Sequence, residues 1–282
     1  MPEYPEVTVV QRALNKHVQD KKILKVEVKI SKLIKNTDEK NFISFLKNKI
    51  ISNIENIGKF LIFNFNDKSR LISHLRMTGK YFVRDINDPA LYAYRGDCIY
   101  FTLDNQKVLV YNDSRMFGSF EILPSEDQRS IYEIKNLAFL PESVDVDALF
   151  NKLKRKTISI KKVLLDQSLV LGIGNIYADE SLHMTKIYPM TPANKITKNE
   201  LKQLLINAQK VMDQSIIHNG STVNSYASVN GISGEFQNFL KVYGRENQIC
   251  STCQRDKIVK VKLDFKPNGR GTSYCPTCQK ER

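Results

Sequence analysis

The stretch CSTCQRDKIVKVKLDFKPNGRGTSYCPTC, residues 250–278, contains the clearest structural signal in the chain. Its ends are two Cys-x2-Cys pairs, formed by Cys250, Cys253, Cys275 and Cys278. Each pair can offer two thiolates from one end of a hairpin to a single tetrahedral ion, and Zn²⁺ suits that donor set best. The segment between the pairs, 254–274, slightly exceeds the roughly 15–20 residues usual in zinc ribbons. We therefore predict one structural zinc ion, with two reduced, unligated pairs as the alternative.

The composition is strongly basic, with 43 lysine and arginine residues against 30 aspartate and glutamate residues and a net charge of +13. Such a surface attracts polyanions through counterion release, although ribosomal and membrane-surface proteins share this property. No window approaches the ~18 uninterrupted apolar residues of a membrane span, and the start lacks a signal-peptide pattern. We therefore expect a cytoplasmic protein without a membrane partner, whose cysteines serve a metal and not disulfides.

Four segments upstream of the cysteine tail show the apolar spacing of helices, namely 146–156, 158–167, 175–184 and 198–217. Between the second and third segments, Gly172 and Gly174 permit a tight turn of positive φ. The helix after this turn exposes N–H groups that can bind a phosphate. Spacing alone favours the simpler interpretation, an ordinary helix–turn–helix hairpin with Asn175 as N-cap.

The first half of the chain has the pattern of a β domain that follows one helix. Segment 2–18 has helical spacing, and Pro2 and Pro5 fall before or within its first turn, where a missing N–H has no cost. Over 24–124, short alternating runs separated by Gly, Asp and Asn predict a sandwich or barrel. Cys98 stands alone in one of these runs and is expected to be a buried apolar residue. The predicted fold class is therefore α+β multi-domain.

Five ordered blocks resemble formamidopyrimidine-DNA glycosylases, and together they span nearly the whole chain. The blocks are MPEYPEV (1–7), LISHLRMTG (71–79), DSRMFG (113–118), LLDQSLVLGIGNIYADE (164–180) and the paired-cysteine tail. The resemblance implies an N-terminal helix plus β-sandwich catalytic domain, a helix–two-turn–helix DNA-binding domain and a C-terminal zinc finger, placed at 1–130, 131–240 and 241–282. It also implies excision of oxidised purines, such as 8-oxoguanine and formamidopyrimidines, from double-stranded DNA, and cleavage of abasic sites.

Pro2 supplies the nucleophile in this interpretation, and a proline that merely begins a helix is the alternative. Its secondary amine becomes free only if Met1 is removed, for which a small second residue is the usual condition. An α-amino group titrates near ~8, so a neutral fraction can attack C1′ and form a Schiff base that permits β- and then δ-elimination. The resemblance implies further catalytic roles for Glu3 as general acid/base, Glu6 as its support, Lys59 in β-elimination and Arg270 in δ-elimination.

The resemblance also implies a set of DNA-contacting residues. Met77, Arg115 and Phe117 match a trio that fills the gap left by an extruded base. Phosphate or other DNA contacts are implied for His74, Lys156, Asn175 and Arg270, and a weaker one for Tyr243.

Several positions depart from the family pattern. Arg76 stands where glycine is common, and RGDCIYF replaces a segment in which a histidine is expected, so that this DNA contact is lost or moved to Arg95. In the resembled family, the position that matches Asn224 lies on the loop that covers the extruded base, and many relatives carry Lys or Arg there. These departures leave the preferred lesion open but not the lyase chemistry.

Two other functions fit parts of the pattern. An endonuclease VIII-like glycosylase would remove oxidised pyrimidines with the same amine, and a non-catalytic zinc-ribbon protein would recognise damaged DNA by its shape. The trio and the PEYPEV start favour the purine enzyme. We expect a monomer that associates with the nucleoid through DNA binding, because the sequence shows no exposed apolar stripe.

Overall fold

The structure is a computed structural model, and it describes residues 2–222, 229–231 and 233–281. The chain divides into two compact units. The amino-terminal unit comprises Met1–Ser130 and His218–Glu235, and the carboxy-terminal unit comprises Ile131–Ile217 and Phe236–Arg282. The three-domain division proposed above stays a prediction.

Helix α1 (Tyr4–Val18) opens the amino-terminal unit, as its apolar spacing predicts. Pro5 lies in its first turn, where no intrahelical bond is lost. Its inner face is formed by four almost fully buried side chains, those of Val7, Val10, Leu14 and Val18. The helix ends at Gln19, whose backbone is extended.

Eight strands follow, and they are β1 (Ile23–Val28), β2 (Ile51–Ile57), β3 (Phe60–Phe65), β4 (Arg70–His74), β5 (Lys80–Asp85), β6 (Asp97–Leu103), β7 (Lys107–Asn112) and β8 (Ser119–Leu123). They form two antiparallel four-stranded sheets, ordered β1-β6-β7-β5 and β2-β3-β4-β8. A short helix, α2 (Glu39–Leu46), lies between β1 and β2. One hydrophobic cluster joins residues of both sheets and both helices, so the predicted sandwich is confirmed. Cys98 is fully buried within β6, also as predicted.

The carboxy-terminal unit begins with five helices, α3 (Ile131–Lys135), α4 (Val146–Leu153), α5 (Ile160–Leu165), α6 (Asn175–Thr185) and α7 (Lys198–Ile217). The turn before α6 uses Gly172 at φ +89°, as the sequence predicts, but Gly174 has φ −124°, an extended conformation that does not require glycine. The predicted N-cap is wrong by one position, because Gly174 occupies the N-cap and Asn175 is the first helical residue. Helix α7 stops at the predicted site, where Asn219 and Gly220 both have positive φ.

A small antiparallel hairpin completes this unit, formed by β9 (Val259–Lys262) and β10 (Gly271–Tyr274). Thr272 pairs with Val261 and Ser273 with Lys260. A very small apolar cluster packs beside the hairpin, and two of its four buried residues are cysteines. The cluster consists of Val242, Cys250, Ile258 and Cys275. In the described part of the chain, no helix combines the length and apolar character needed to cross a membrane.

Candidate active site and nucleic-acid interface

The predicted nucleophile directly precedes a buried pair of acids at the start of α1. Pro2 is buried, and Glu3, the N-cap of α1, is only 3 % exposed. Glu6 is 1 % exposed, and its two oxygens have different partners. Oε2 accepts from the backbone N–H of Glu3 at 2.9 Å, and Oε1 accepts from that of Ser221 at 2.8 Å. Glu6 therefore fixes the helix start, whereas Glu3 is the acid next to Pro2.

Hydrogen bonds along α1 set its position on strand β2. Asn15 exchanges two bonds with the backbone of Ile54, at 2.8 and 2.7 Å. Nearer the helix start, Asn56 donates to the Thr8 hydroxyl at 2.9 Å. Helix α1 and strand β2 therefore run antiparallel, so the amino-terminal end of the helix lies beside the end of β2 that leads into β3. Lys59 lies in that turn and is 9 % exposed, so the pairing directs the acids and this lysine to the same end of the unit.

His74 lies at the end of β4, opposite Phe60 at the start of β3. Their rings meet edge to face, with centroids 4.8 Å apart. The His74 Nδ1 accepts from the Arg76 backbone N–H at 2.9 Å, which places the ring proton on Nε2. Arg76 itself adopts φ +53°, the left-handed conformation that glycine adopts more easily. The substitution of the usual glycine is therefore accommodated at the same loop position.

The structure brings the predicted trio together. Met77 and Phe117 are large apolar side chains that remain 43 % and 52 % exposed. The Arg115 guanidinium stacks on the Phe117 ring at 4.5 Å from its centroid, and its Nη1 lies 3.0 Å from the Met77 sulfur. Met77 and the other two residues come from different loops, so this cluster is a tertiary feature. Exposed apolar side chains beside an arginine form a surface suited to insertion into a base stack.

Sequence reasoning missed the buried aspartate between these loops. Asp113 is fully buried and accepts hydrogen bonds from the backbone N–H groups of Arg115, Phe117 and Gly118, and from the Thr78 hydroxyl. Burial, and then the Asp113 carboxylate, raise the pKa of the neighbouring Tyr111. The DSRMFG block contains Asp113, but nothing in its residue types indicated that it contacts a second loop.

Two predicted phosphate contacts lie close together in the carboxy-terminal unit. Asn175 donates from its side chain to the Gly271 carbonyl at 2.9 Å. Arg270, the residue before Gly271, is exposed. The first turn of α6 and the start of β10 therefore form one local surface with an amide and a guanidinium.

A buried ion pair supports that surface, and sequence reasoning did not identify it. Lys161 and Asp179 are both fully buried, with Nζ 2.6 Å from Oδ1. Lys161 also donates to the Gly271 carbonyl and the Thr272 hydroxyl, each at 3.0 Å, and Asp179 accepts from the Ser273 backbone N–H at 2.9 Å. Burial raises the pKa of Asp179, and the ion pair with Lys161 acts in the opposite direction.

The remaining candidate residues are more dispersed. Lys156 is partly exposed between α4 and α5, and its carbonyl accepts from the Asn194 backbone N–H at 2.9 Å. Tyr243 donates its backbone N–H to the buried carboxylate of Glu180 at 2.8 Å. Arg95 is exposed on the loop before β6. Asn224 lies outside the described residues.

The four tail cysteines converge on one point, and their sulfur atoms all lie within 4.8 Å of one another. Cys250 and Cys278 are 3.8 Å apart, and Cys253 and Cys275 are 3.6 Å apart. Tetrahedral Zn–S bonds of about 2.3 Å would separate sulfurs by about 3.8 Å, so the cluster fits one zinc ion. His183, near the end of α6, lies 3.7 Å from the Cys250 sulfur through Nε2.

Comparisons with known proteins agree with this layout. The family model for the formamidopyrimidine-DNA glycosylase N-terminal domain matches residues 1–120, and that for the H2TH domain matches residues 138–227. Formamidopyrimidine-DNA glycosylase from Mycoplasmopsis pulmonis is 42 % identical over 282 residues, with 100 % of this chain and 99 % of the relative covered. The Mycoplasma mobile protein of the same name is 40 % identical over 99 % of both chains.

Solved structures give the same result. A Lactococcus lactis FPG mutant in complex with a Fapy-dG containing DNA superposes with a TM-score of 0.90 at 34 % identity, covering 99 % of this chain and 100 % of that chain. The Lactococcus lactis Fpg complex with an abasic site containing DNA has the same TM-score, identity and coverage. Both solved proteins are bound to DNA.

Proposed function

The chain belongs to the formamidopyrimidine-DNA glycosylase family, and we propose that it is a bifunctional DNA glycosylase and AP lyase of base excision repair. Its substrates are oxidised purines, 8-oxoguanine and formamidopyrimidines, and abasic sites in double-stranded DNA. The observation that carries this proposal is the start of α1, where Pro2 directly precedes the buried acids Glu3 and Glu6.

The catalytic steps follow from the chemistry of these side chains. The free secondary amine of Pro2 attacks C1′ of the damaged nucleotide, the C1′–N bond breaks, and the base leaves with a proton. Glu3 is the general acid/base that protonates the ring oxygen O4′, so that the C1′–O4′ bond breaks and the opened sugar stays joined to Pro2 as a cationic Schiff base. The cationic Schiff base then acidifies the sugar, which eliminates the 3′ and afterwards the 5′ phosphate. Lys59 transfers a proton in β-elimination, and Arg270 assists δ-elimination at the phosphate.

DNA binding divides between the two units. In the amino-terminal unit, the trio of Met77, Arg115 and Phe117 occupies the gap left by the extruded base, and its arginine pairs with the orphaned base. The groups that hold backbone phosphates are His74, Lys156, Asn175 and Arg270. A chain of net charge +13 adds a sequence-independent attraction for the duplex.

Cys250, Cys253, Cys275 and Cys278 would hold one zinc ion with a structural role. Because these four thiolates are a full set of zinc ligands, the ion would stabilise the hairpin and would not take part in the reaction. The ion would orient the hairpin and with it Arg270. We further propose that the protein acts as a monomer in the cytoplasm, at the nucleoid, because its substrate is DNA and all of its proposed functional residues lie on one chain.

Borohydride trapping tests the enzymatic proposal. Protein confirmed by mass to begin at Pro2 should form a covalent adduct with duplex DNA containing 8-oxoguanine when borohydride reduces the Schiff base. Pro2→Gly should trap much less, whereas Pro5→Gly, a matched change in the same helical turn, should trap normally. Absence of any adduct with the wild-type chain would falsify the lyase mechanism.

Substrate choice separates this proposal from the endonuclease VIII-like alternative. The chain is expected to excise 8-oxoguanine faster than thymine glycol from matched duplexes under single-turnover conditions. The reverse preference would assign it to oxidised pyrimidines while leaving the Pro2 chemistry intact.

A further inference from the structure

We propose that Asp113 is a positioning residue that holds the two loops of the trio together as a preassembled wedge. This inference rests on the proposed function, because it specifies how that function fills the gap in the DNA. Asp113 itself is fully buried and touches no substrate; it acts through Met77, Arg115 and Phe117.

The contacts of Asp113 reach both loops from a single carboxylate. Oδ2 accepts from the backbone N–H groups of Phe117 at 2.9 Å and Gly118 at 2.8 Å. Oδ1 accepts from the backbone N–H of Arg115 at 3.1 Å and from the hydroxyl of Thr78. Thr78 directly follows Met77, so this last bond joins the second loop to the first. Hydrogen bonds to a charged, buried acceptor are stronger than those between neutral groups.

A second buried group, Tyr111, brings the same loops into contact. A Cβ added at Gly79 would lie 2.3 Å from the Tyr111 hydroxyl oxygen, and one added at Gly118 would lie 1.8 Å from it. Both loops therefore need glycine where they close over this hydroxyl. Sheet register explains the convergence, because Lys80, at the start of β5, pairs with Asn112, at the end of β7.

Each loop also contains a residue in an unfavourable conformation. Arg76 has φ +53° and Met116 has φ +54°, and neither is glycine. Such conformations persist only where surrounding contacts hold them. Asp113 accepts from Arg115 and Phe117, on either side of Met116, and from Thr78, two residues after Arg76. Without those bonds the loops would relax, and the trio would have to be ordered during DNA binding.

The test uses substitutions that break the link without touching the trio. Thr78→Val removes the bond between the loops and keeps the side-chain shape, while Thr78→Ser keeps the hydroxyl and should restore activity. Asp113→Asn weakens all four bonds at once. Asp97→Asn is the matched control, because Asp97 is a buried carboxylate in the same unit that bonds Arg84, Tyr100 and Asn112 instead.

Two substrates separate positioning from general damage to the site. Excision of 8-oxoguanine from duplex DNA requires the wedge, whereas borohydride trapping on a single-stranded oligonucleotide with an abasic site has no helical gap to fill. We expect Thr78→Val to slow duplex excision roughly tenfold and Asp113→Asn roughly 10- to 100-fold. Both should trap the single strand at the wild-type rate, and Thr78→Ser should resemble wild type on both substrates. Asp97→Asn also removes the ion pair with Arg84, so the expectation for this control is that the ratio of the two rates stays at the wild-type value.

The opposite patterns overturn the proposal. Equal losses on the two substrates would make Asp113 a general structural residue, and unchanged duplex excision in Thr78→Val would show that the link between the loops does not matter. If Asp113→Asn does not fold, Thr78→Val and Thr78→Ser decide alone.

A wild-type chain that traps neither substrate would instead refute the proposed function. The wedge would then be measured by binding, as the rise in 2-aminopurine fluorescence beside an abasic analogue, which Thr78→Val should reduce.

Discussion

Both units place exposed candidate DNA contacts over a buried charged group, but the two groups are built differently. In the amino-terminal unit, the Asp113 carboxylate is surrounded by neutral N–H and O–H donors from residues 78–118. In the carboxy-terminal unit, Lys161 and Asp179 form an ion pair whose lysine bonds to Thr272, 111 positions along the chain. The donors around Asp113 are uncharged and lie within 40 positions of one another. The carboxy-terminal support instead depends on two charged side chains and on a strand that is distant in sequence.

This difference predicts different sensitivities. A carboxylate with several neutral donors loses part of its support when one donor is removed. An ion pair without one partner leaves an uncompensated buried charge, which is far less favourable. The hairpin of the carboxy-terminal unit has only a small apolar cluster and depends on four clustered cysteines. The stability of this unit should therefore depend more on single charged or metal-binding groups.

Removal of zinc should give the largest effect and should be confined to the carboxy-terminal unit. Structural zinc contributes roughly 10–16 kcal/mol to the folding of zinc-finger peptides, and the apolar cluster of this hairpin is small. A chelator should therefore abolish the dispersed amide NMR signals of β9 and β10 and weaken DNA binding. The signals of β1 to β8 should remain, and added zinc should restore the rest. Simultaneous collapse of both sets would show that the amino-terminal unit depends on the metal.

The next largest effect should come from the buried ion pair. Lys161→Met should lower the free energy of unfolding by about 3–5 kcal/mol, because Asp179 is left buried without its partner. The adjacent Lys162→Met is the control: Lys162 pairs with Asp264 but is 39 % exposed, so its loss should change stability by about 1 kcal/mol or less. Urea denaturation of both variants measures the difference, and equal values would refute the distinction between them.

The different burial of these two lysines could not be predicted from the sequence. Lys161 and Lys162 are neighbours in the same helical pattern, and nothing in the sequence reveals which one is buried. The partner of Lys161 lies in α6 and its acceptors lie in β10, so only the tertiary structure selects it. Asp113 escaped attention for a related reason, since its link to Thr78 joins two loops that are separate in sequence.

Features encoded over short distances were predicted well. The apolar faces of α1 and α7, the alternating strands and the cysteine pairs depend on residue type and spacing alone, and the structure confirms them. The resemblance supplied the trio, whose side chains do meet. The N-cap before α6 was wrong because Gly174 takes that position and the Asn175 side chain bonds to the Gly271 carbonyl instead.

A smaller effect is expected at Glu6, another buried carboxylate that accepts hydrogen bonds from neutral backbone donors. Glu6→Gln retains one acceptor oxygen for two backbone N–H groups, those of Glu3 and Ser221, so one of them loses its partner. The free energy of unfolding should fall by about 1.5–3 kcal/mol. Asp38→Asn is the control, since Asp38 caps the start of α2 at an exposed position. A loss at Asp38 that matches the loss at Glu6 would mean that burial adds nothing.

Arg270 should show the smallest effect on stability and a defined effect on DNA binding. Its side chain is exposed, so Arg270→Gln should leave the thermal unfolding temperature unchanged. Lys161→Met should lower it, because Lys161 supports the adjacent strand through the Gly271 carbonyl. If Arg270 neutralises one phosphate, the slope of log affinity against log salt should become shallower by about 0.9. Lys152→Gln, an exposed change on α4, should leave that slope as it is. An unchanged slope in Arg270→Gln would remove Arg270 from the DNA contacts and would leave the ion pair as support for the hairpin alone.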